Sequence, residues 1–183
     1  ELKNVTVVTQ SIPVHNIPEL IQYAKANPNK LSFGSAGSGT SQHLSGELFK
    51  LKTGTQMQHV PYKGAAQAVP DLISGQIQLM FVSIPDVLPH IRGGKLRAIA
   101  VTSKDRSSVL PDTPTIAEQG LDFDVSAWFG LVAPAGTPRP IVNRFYAELA
   151  KAYEQAEVKS KIAGIGMDPV LKNPDVFAAF RSE

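Results

Sequence analysis

The chain contains no cysteine. That excludes a disulfide frame, thiol nucleophiles and thiolate-bound metals; it is compatible with an oxidising compartment without requiring one. A surplus of charge of one sign is also lacking. The 18 Lys and Arg against 16 Asp and Glu leave a formal net charge of +2. The basic residues are scattered, so neither total nor pattern fits a nucleic-acid partner. No apolar run has the length of a membrane-spanning helix. The opening ELKNVTVVTQ reads as a strand already under way and not as a signal peptide. No His, Asp or Glu shows metal-ligand spacing such as H-E-x-x-H, and no cofactor motif is present.

What is present is ordinary for a soluble globular protein. Of 183 residues, 43% are hydrophobic and 19% charged, enough for one large domain or two small ones. The most informative stretch is LSFGSAGSGTSQHL, Leu31 to Leu44. Leu31 to Phe33 reads as a strand. Six small residues follow, Gly34, Ser35, Ala36, Gly37, Ser38 and Gly39. Thr40 and Ser41 then precede the helical spacing Leu44, Leu48, Leu51. A glycine turn lets a ligand approach the main chain, and the helix start aims free N–H groups and its positive dipole end at the turn. Hydroxyls at Ser35, Ser38, Thr40 and Ser41 add donors. This is a small-anion cradle, most simply for a carboxylate; the bland alternative is a connector capped by Thr40 or Ser41. Sharper motifs fail. Thr40 stands where a P-loop needs lysine, Gln42 where a dinucleotide fingerprint needs glycine, and Ser38 is flanked directly by glycines, unlike a hydrolase elbow.

Around the cradle the elements alternate. Val5 to Val8 is a buried strand. Asn16-Ile17-Pro18-Glu19 opens a helix to about Ala26. Helix Ser41 to Lys52 ends at Gly54, and strand Gln56 to Val60 runs into Pro61-Tyr62-Lys63-Gly64. Helix Ala65 to Ile73, strand Ile77 to Val82, a helix from Ser83 and strand Leu96 to Val101 follow. That order predicts a parallel α/β sheet, with ligands at the carboxyl ends of its strands. The loops after Phe33, Val60 and Val82 are then the candidates, carrying Ser35 and Ser38, Tyr62 and Lys63, and Ser83. Beyond a long connection from Thr102 to Gly120 with one helical turn, Ser126 to Ala133 reads as a strand. Thr137 caps the next helix, and two further helices cover Glu157 to Ile165 and Asp175 to Arg181. This helical tail has no sheet of its own to cover.

The runs LSFGSAGSGTSQHLSGELFK, HVPYKGAAQAVPDLISGQIQLMF, GKLRAIAVTS, LPDTPTIAEQG and WFGLVAPAGTP, in that order over nearly the whole chain, closely resemble the Bug-type receptors of tripartite tricarboxylate transporters. The resemblance implies an α/β, type II periplasmic-binding-protein fold of two lobes and a hinge. Residues 1–8 would be a hinge strand, 9–125 the second lobe with its connection back, and 126–183 the second hinge strand plus helices of the first lobe. The first lobe's N-terminal part would precede Glu1. The implied protein is periplasmic and not an enzyme, uses no cofactor or metal, takes a small carboxylate, and partners the transporter's membrane components. Its ligand contacts would be Ser35, Ala36, Gly37, Ser38, Gly39, Thr40, Ser41, Tyr62, Lys63 and Ser83. Many relatives carry Asp after the strand ending at Phe81. Val82 and Ser83 stand here, which favours a plain carboxylic acid over an amino acid. The alternative is a hydrolase using Ser38 or Ser41, with His43 as the nearest base and no group to orient it. The apolar tail helices lead to an expectation that this chain self-associates.

Overall fold

A computed structural model describes residues 2–127, 130–164, 167 and 170–182. The chain divides into two compact units, Leu2–Ala127 and the residues from 128 on.

The first unit is built on one sheet. Its strands are β1 (Leu2–Thr9), β2 (Ser32–Ser35), β3 (Gln58–Pro61), β4 (Leu79–Ser83), β5 (Leu96–Val101) and the short β6 (Ser126–Ala127). The order is β3-β2-β4-β1-β5, with β6 paired to β1. Helices α1 (Ile17–Ala26), α2 (Ser41–Thr53), α3 (Ala65–Ser74) and α4 (Ile84–Arg92) connect the strands. Alternation along each strand sorts the apolar side chains. Val8, Phe33, Leu79 and Phe81 join Ile17, Leu20, Ala24 and Phe49 under α1 and α2. Val5, Val7, Met80 and Val82 join Ala68, Leu72, Ile84 and Val87 under α3 and α4. The sheet is therefore covered on both faces, which is why β1 and β4 are buried along nearly their whole length.

The all-parallel expectation is corrected at one strand. β2 runs parallel to β3 and β4, but β1 is antiparallel to both its neighbours, β4 and β5. The α4 crossover carries the chain from β4 past one strand position to β5, and β1 fills that position from the opposite direction. The start of β1 thereby meets the carboxyl end of β4: Asn4 lies opposite Ser83.

Local signals account for the helix ends. The Asn16 side chain accepts the Glu19 N–H at 2.8 Å, and the Glu19 carboxylate takes the His15 N–H at 2.7 Å, a reciprocal cap. Thr40 caps α2, and Gly54 closes it in the left-handed region. The helical turn expected near Thr115 is a 3-10 turn, Ala117–Gln119, capped by Thr115 and tied to Arg106 through Glu118.

In the second unit, α5 (Arg139–Glu154), α6 (Ala156–Gly164) and α7 (Pro174–Ser182) follow one another. Two expectations change here. Of the strand expected over Ser126 to Ala133, only Ser126–Ala127 is a strand; Gly130 to Ala133 have no regular structure, and Trp128 and Phe129 lie outside the described residues. A strand needs a partner for its main-chain groups, and among the described residues β1 offers one to Ser126 and Ala127 alone. Thr137 does not cap α5: its hydroxyl donates to the Pro134 carbonyl at 2.8 Å, and Pro138 holds the cap position. The Asn173 side chain does cap α7, accepting the Val176 N–H at 2.9 Å.

Candidate functional site

The cradle loop leaves β2 at Ser35 and enters α2 at Ser41. Its shape is set by side chains that consume most of its own polar groups. Gln42, buried, accepts the Ala36 N–H at 2.8 Å. The Ser35 hydroxyl accepts the Gly37 N–H at 3.1 Å. The Thr40 hydroxyl donates to the Gly37 carbonyl at 2.7 Å and accepts from the His43 N–H. The Gly39 N–H donates to His43 Nδ1 at 3.1 Å. Gly37 and Gly39 sit at φ 130° and 82°, where a side chain would be strained. Among the described residues, the amides of Ser38, Ser41 and Gln42 are left without an acceptor. These three N–H groups, at the positive end of a 13-residue helix, are what the loop offers to an anion.

The three predicted loops do converge. The Tyr62 N–H donates to the Ser35 carbonyl at 3.0 Å, and a Cβ on Gly37 would lie 3.5 Å from the Tyr62 carbonyl. Ser83 is joined to the cradle through Asn4. The Ser83 hydroxyl donates to Asn4 Oδ1, and Asn4 Nδ2 donates to Ser41 Oγ, each at 3.3 Å. Asn4 is fully buried, and its bond leaves the Ser41 hydroxyl proton free to donate.

The predicted residues thus divide by role. Ser35 is fully buried with its hydroxyl turned inward, and Thr40 is spent on the loop and the helix cap. Ser38 and Gly39 are exposed and Ser41 is half-buried. Lys63 is exposed and has no ion pair among the described residues. Tyr62 contributes main chain rather than phenol: its hydroxyl donates to Asp71 Oδ2 on α3 at 2.7 Å. Burial and then the Asp71 carboxylate push the phenol up to about 12. Its neutral form is favoured in the folded chain, so the stabilisation is complete below an ordinary tyrosine's ionisation near pH 10 and is lost as pH rises toward about 12. Absorbance at the phenolate band is expected to show one tyrosine ionising late, and Tyr62→Phe is expected to abolish that late step. A late step surviving the substitution would assign it elsewhere.

Two functional positions escape a reading of the sequence alone. Asn4 is one; a lone Asn in a β-branched run is disfavoured there, and that was the available signal. His59 is the other. Its Nε2 lies 2.7 Å from Ser35 Oγ, and its ring stacks on Phe33 at 4.9 Å and lies tilted against His43 at 4.1 Å between centroids. Nothing local in QHVP indicates this. The Ser35–His59 pair does not serve the hydrolase alternative, because a fully buried Ser35 presents no nucleophile to a substrate. Ser38 and Ser41 share no hydrogen bond with a histidine among the described residues. A groove of about 520 Å³ between α3 and α4, lined by residues including Pro70, Ile73, Asp86 and His90, holds none of the cradle residues. Among the described residues no group of three His, Asp or Glu could hold a metal, and no helix is long and apolar enough to cross a membrane.

Comparison with known proteins yields a family match over residues 2–183, to a family described as the tripartite tricarboxylate transporter family receptor. A Pseudomonas sp. (strain P51) protein of the tcbD-tcbE intergenic region is 40% identical over 185 residues, all of this chain and 55% of that protein. A solved Rhodopseudomonas palustris structure, with adipate, matches with TM-score 0.90 at 35% identity, over 99% of this chain and 61% of that one. MatC from the same organism, with bound malate, matches with TM-score 0.85 at 29% identity, over 99% and 63%. This chain spans about half the length of the curated relatives it matches. Its fold is the mixed α/β fold of periplasmic binding proteins.

Proposed function

This chain belongs to the tripartite tricarboxylate transporter receptor family, and from that premise we propose that it forms the carboxylate-capturing part of a periplasmic solute-binding protein, which delivers its ligand to the membrane components of such a transporter. The observation that carries the reading is the set of unpaired amides at Ser38, Ser41 and Gln42, at the start of α2. One carboxylate oxygen accepts from the Ser41 and Gln42 amides, the other from Ser38 and the Ser41 hydroxyl. Lys63 lies at the rim as a neutralising charge. Structural relatives solved with adipate and malate support a carboxylate as the class of ligand.

Magnitudes define how the receptor works. Hydrogen bonds to a charged group contribute about 1.5–3 kcal/mol each, and the helix dipole adds about 0.3–1. Association itself costs from about 4 to more than 15 kcal/mol, which offsets most or all of that gain. The cradle alone therefore gives weak binding, and the first lobe closing over the ligand provides the remainder. The remainder of that lobe covers apolar side chains such as Leu131, Ile141 and Phe145, exposed here; uncovered, they drive self-association. The site captures and releases without turnover.

With Ser83 bonded to Asn4 and no carboxylate beside it, a ligand ammonium has nothing to pair with on β4, so the preferred ligand is a plain acid. Calorimetric titration of the full-length receptor with mono-, di- and tricarboxylates and amino acids tests this. Micromolar or tighter binding of an acid is expected, with aspartate and glutamate weaker than their desamino counterparts. Heat from no acid would remove the carboxylate reading; tighter binding of the amino acids would remove the preference.

A further inference from the structure

We propose that the adjoining rings of His43 and His59 form a proton-sensitive brace that holds the carboxylate cradle in its binding shape, and that a proton taken up by the pair releases Gly39 and weakens binding. The inference deepens the carboxylate reading and depends on it for the affinity measurement alone.

The brace grips the loop at both ends. His59 Nε2 meets the Ser35 hydroxyl at 2.7 Å, and that hydroxyl accepts the Gly37 N–H. His43 Nδ1 accepts the Gly39 N–H at 3.1 Å. An imidazole nitrogen accepts only while it carries no proton. A protonated Nδ1 and the Gly39 amide would be two donors facing each other, and the bond would be lost. Gly39 is exposed, so water would take up the freed N–H and the loop would lose that tie to α2. Ser35 behaves differently: its oxygen accepts equally from a protonated His59. The pH-sensitive contact is therefore the one between His43 and Gly39.

The charges around the pair are few. Glu47 and Lys50 on α2 face it; Glu47 Oε1 lies 3.9 Å from His43 Nε2, and the Lys50 ammonium stands over the Phe33 ring. From β2 the pair meets Phe33, and from β3 the only titratable group is His59 itself. Ring centroids 4.1 Å apart make a second proton unfavourable once the first is bound. Burial, and then His43, hold His59 below the usual histidine range. His43 lies beside Glu47, and a proton there is the one that opens the loop. Both are positioning residues; neither needs to touch the ligand.

The experiment reads the brace with and without ligand, in the full-length receptor. The Gly39 amide resonance is followed from about pH 8 to about pH 5, across the range where imidazoles titrate. It is expected to shift in a single-proton step in the wild type and to stay flat in His43→Asn, whose Oδ1 can replace the acceptor but cannot titrate. Affinity for adipate or malate, whichever binds more tightly at about pH 7.5, is expected to weaken about tenfold by about pH 5.5 in the wild type. His43→Asn is expected to change far less over the same interval, and His43→Ala to bind weakly throughout. The ligand's own titration is common to all three proteins and cancels between them. A flat Gly39 resonance in the wild type overturns the brace and requires no variant to fold. Equal pH slopes in wild type and His43→Asn, or affinity that rises toward acid, overturn its role in binding. If neither dicarboxylate binds at about pH 7.5, the acid that binds in the calorimetric panel takes their place; binding by no acid would instead reject the carboxylate reading, with the Gly39 resonance still deciding whether the brace exists.

Discussion

Phe33→Ala is expected to cost about 3–5 kcal/mol of folding stability, measured as a loss in urea unfolding followed by far-ultraviolet circular dichroism. The ring is fully buried and is surrounded by specific neighbours. It stacks on His59 at 4.9 Å and meets Phe81 edge-on at 6.4 Å. From above, α2 presses on it through Gly46, where an added Cβ would fall 2.2 Å from the ring. No real Cβ sits that close, so either ring or helix would have to move. Gly46→Ala should therefore destabilise by about 1–3 kcal/mol, although alanine in a helix interior ordinarily gains about 1 kcal/mol over glycine. The two positions share one contact, so their effects should not add. Combining Gly46→Ala with Phe33→Leu is expected to be less harmful than the sum of the single changes. A Phe33→Ala loss below about 1.5 kcal/mol, or strict additivity of the pair, would mean that this ring does not anchor α2 to the sheet. Because His59 leans on the same ring, Phe33→Ala should also loosen the cradle.

Ser41→Asp is expected to weaken carboxylate binding by about a hundredfold or more while leaving folding stability equal or slightly higher. The two effects have opposite signs for one physical reason. Ser41 is the first residue of α2, and a negative charge in that turn gains about 0.3–1 kcal/mol from the helix dipole. The Asn4 side chain amide, which now donates to the Ser41 hydroxyl, would donate to a carboxylate at least as well. But the new carboxylate would occupy the amides that the ligand needs and repel the ligand's charge. Two charge-assisted bonds at about 1.5–3 kcal/mol each exceed the roughly 2.7 kcal/mol that a hundredfold requires. Ser41→Ala serves as the control, removing one hydroxyl contact and costing about tenfold. Ser41→Asp binding adipate within about threefold of the wild type would move the carboxylate out of this loop.

How much of this was legible beforehand depended on the range of each signal. A hydroxyl cap at Thr40 or Ser41, the glycine turn before it, and Asn16 with Glu19 at the start of α1 are written within a few consecutive residues; the helices form there, and of the two cap candidates the structure takes Thr40. The alternation of elements placed Ser38, Ser41, Lys63 and Ser83 at one end of one sheet, because successive strands carried to the same direction by helices end on the same side. Side-chain roles were less legible where a partner is distant in sequence. Ser35 faces His59, 24 residues on, and the Tyr62 phenol turns to Asp71.

The sequence by itself determined the family, the α/β class, the helix caps and the hydroxyl-rich turn that offers amides to an anion, because each rests on neighbours in the chain or on a long ordered run of motifs. Only the tertiary structure decided that β1 enters against its neighbours and brings Asn4 to Ser41 and Ser83, and that His43 and His59 meet over Phe33. Periodicity specifies which face of a strand is buried, but not which strand lies beside it or which side chain lies across from it. Those are settled by the packing of the whole sheet, and here they set the shape of the site.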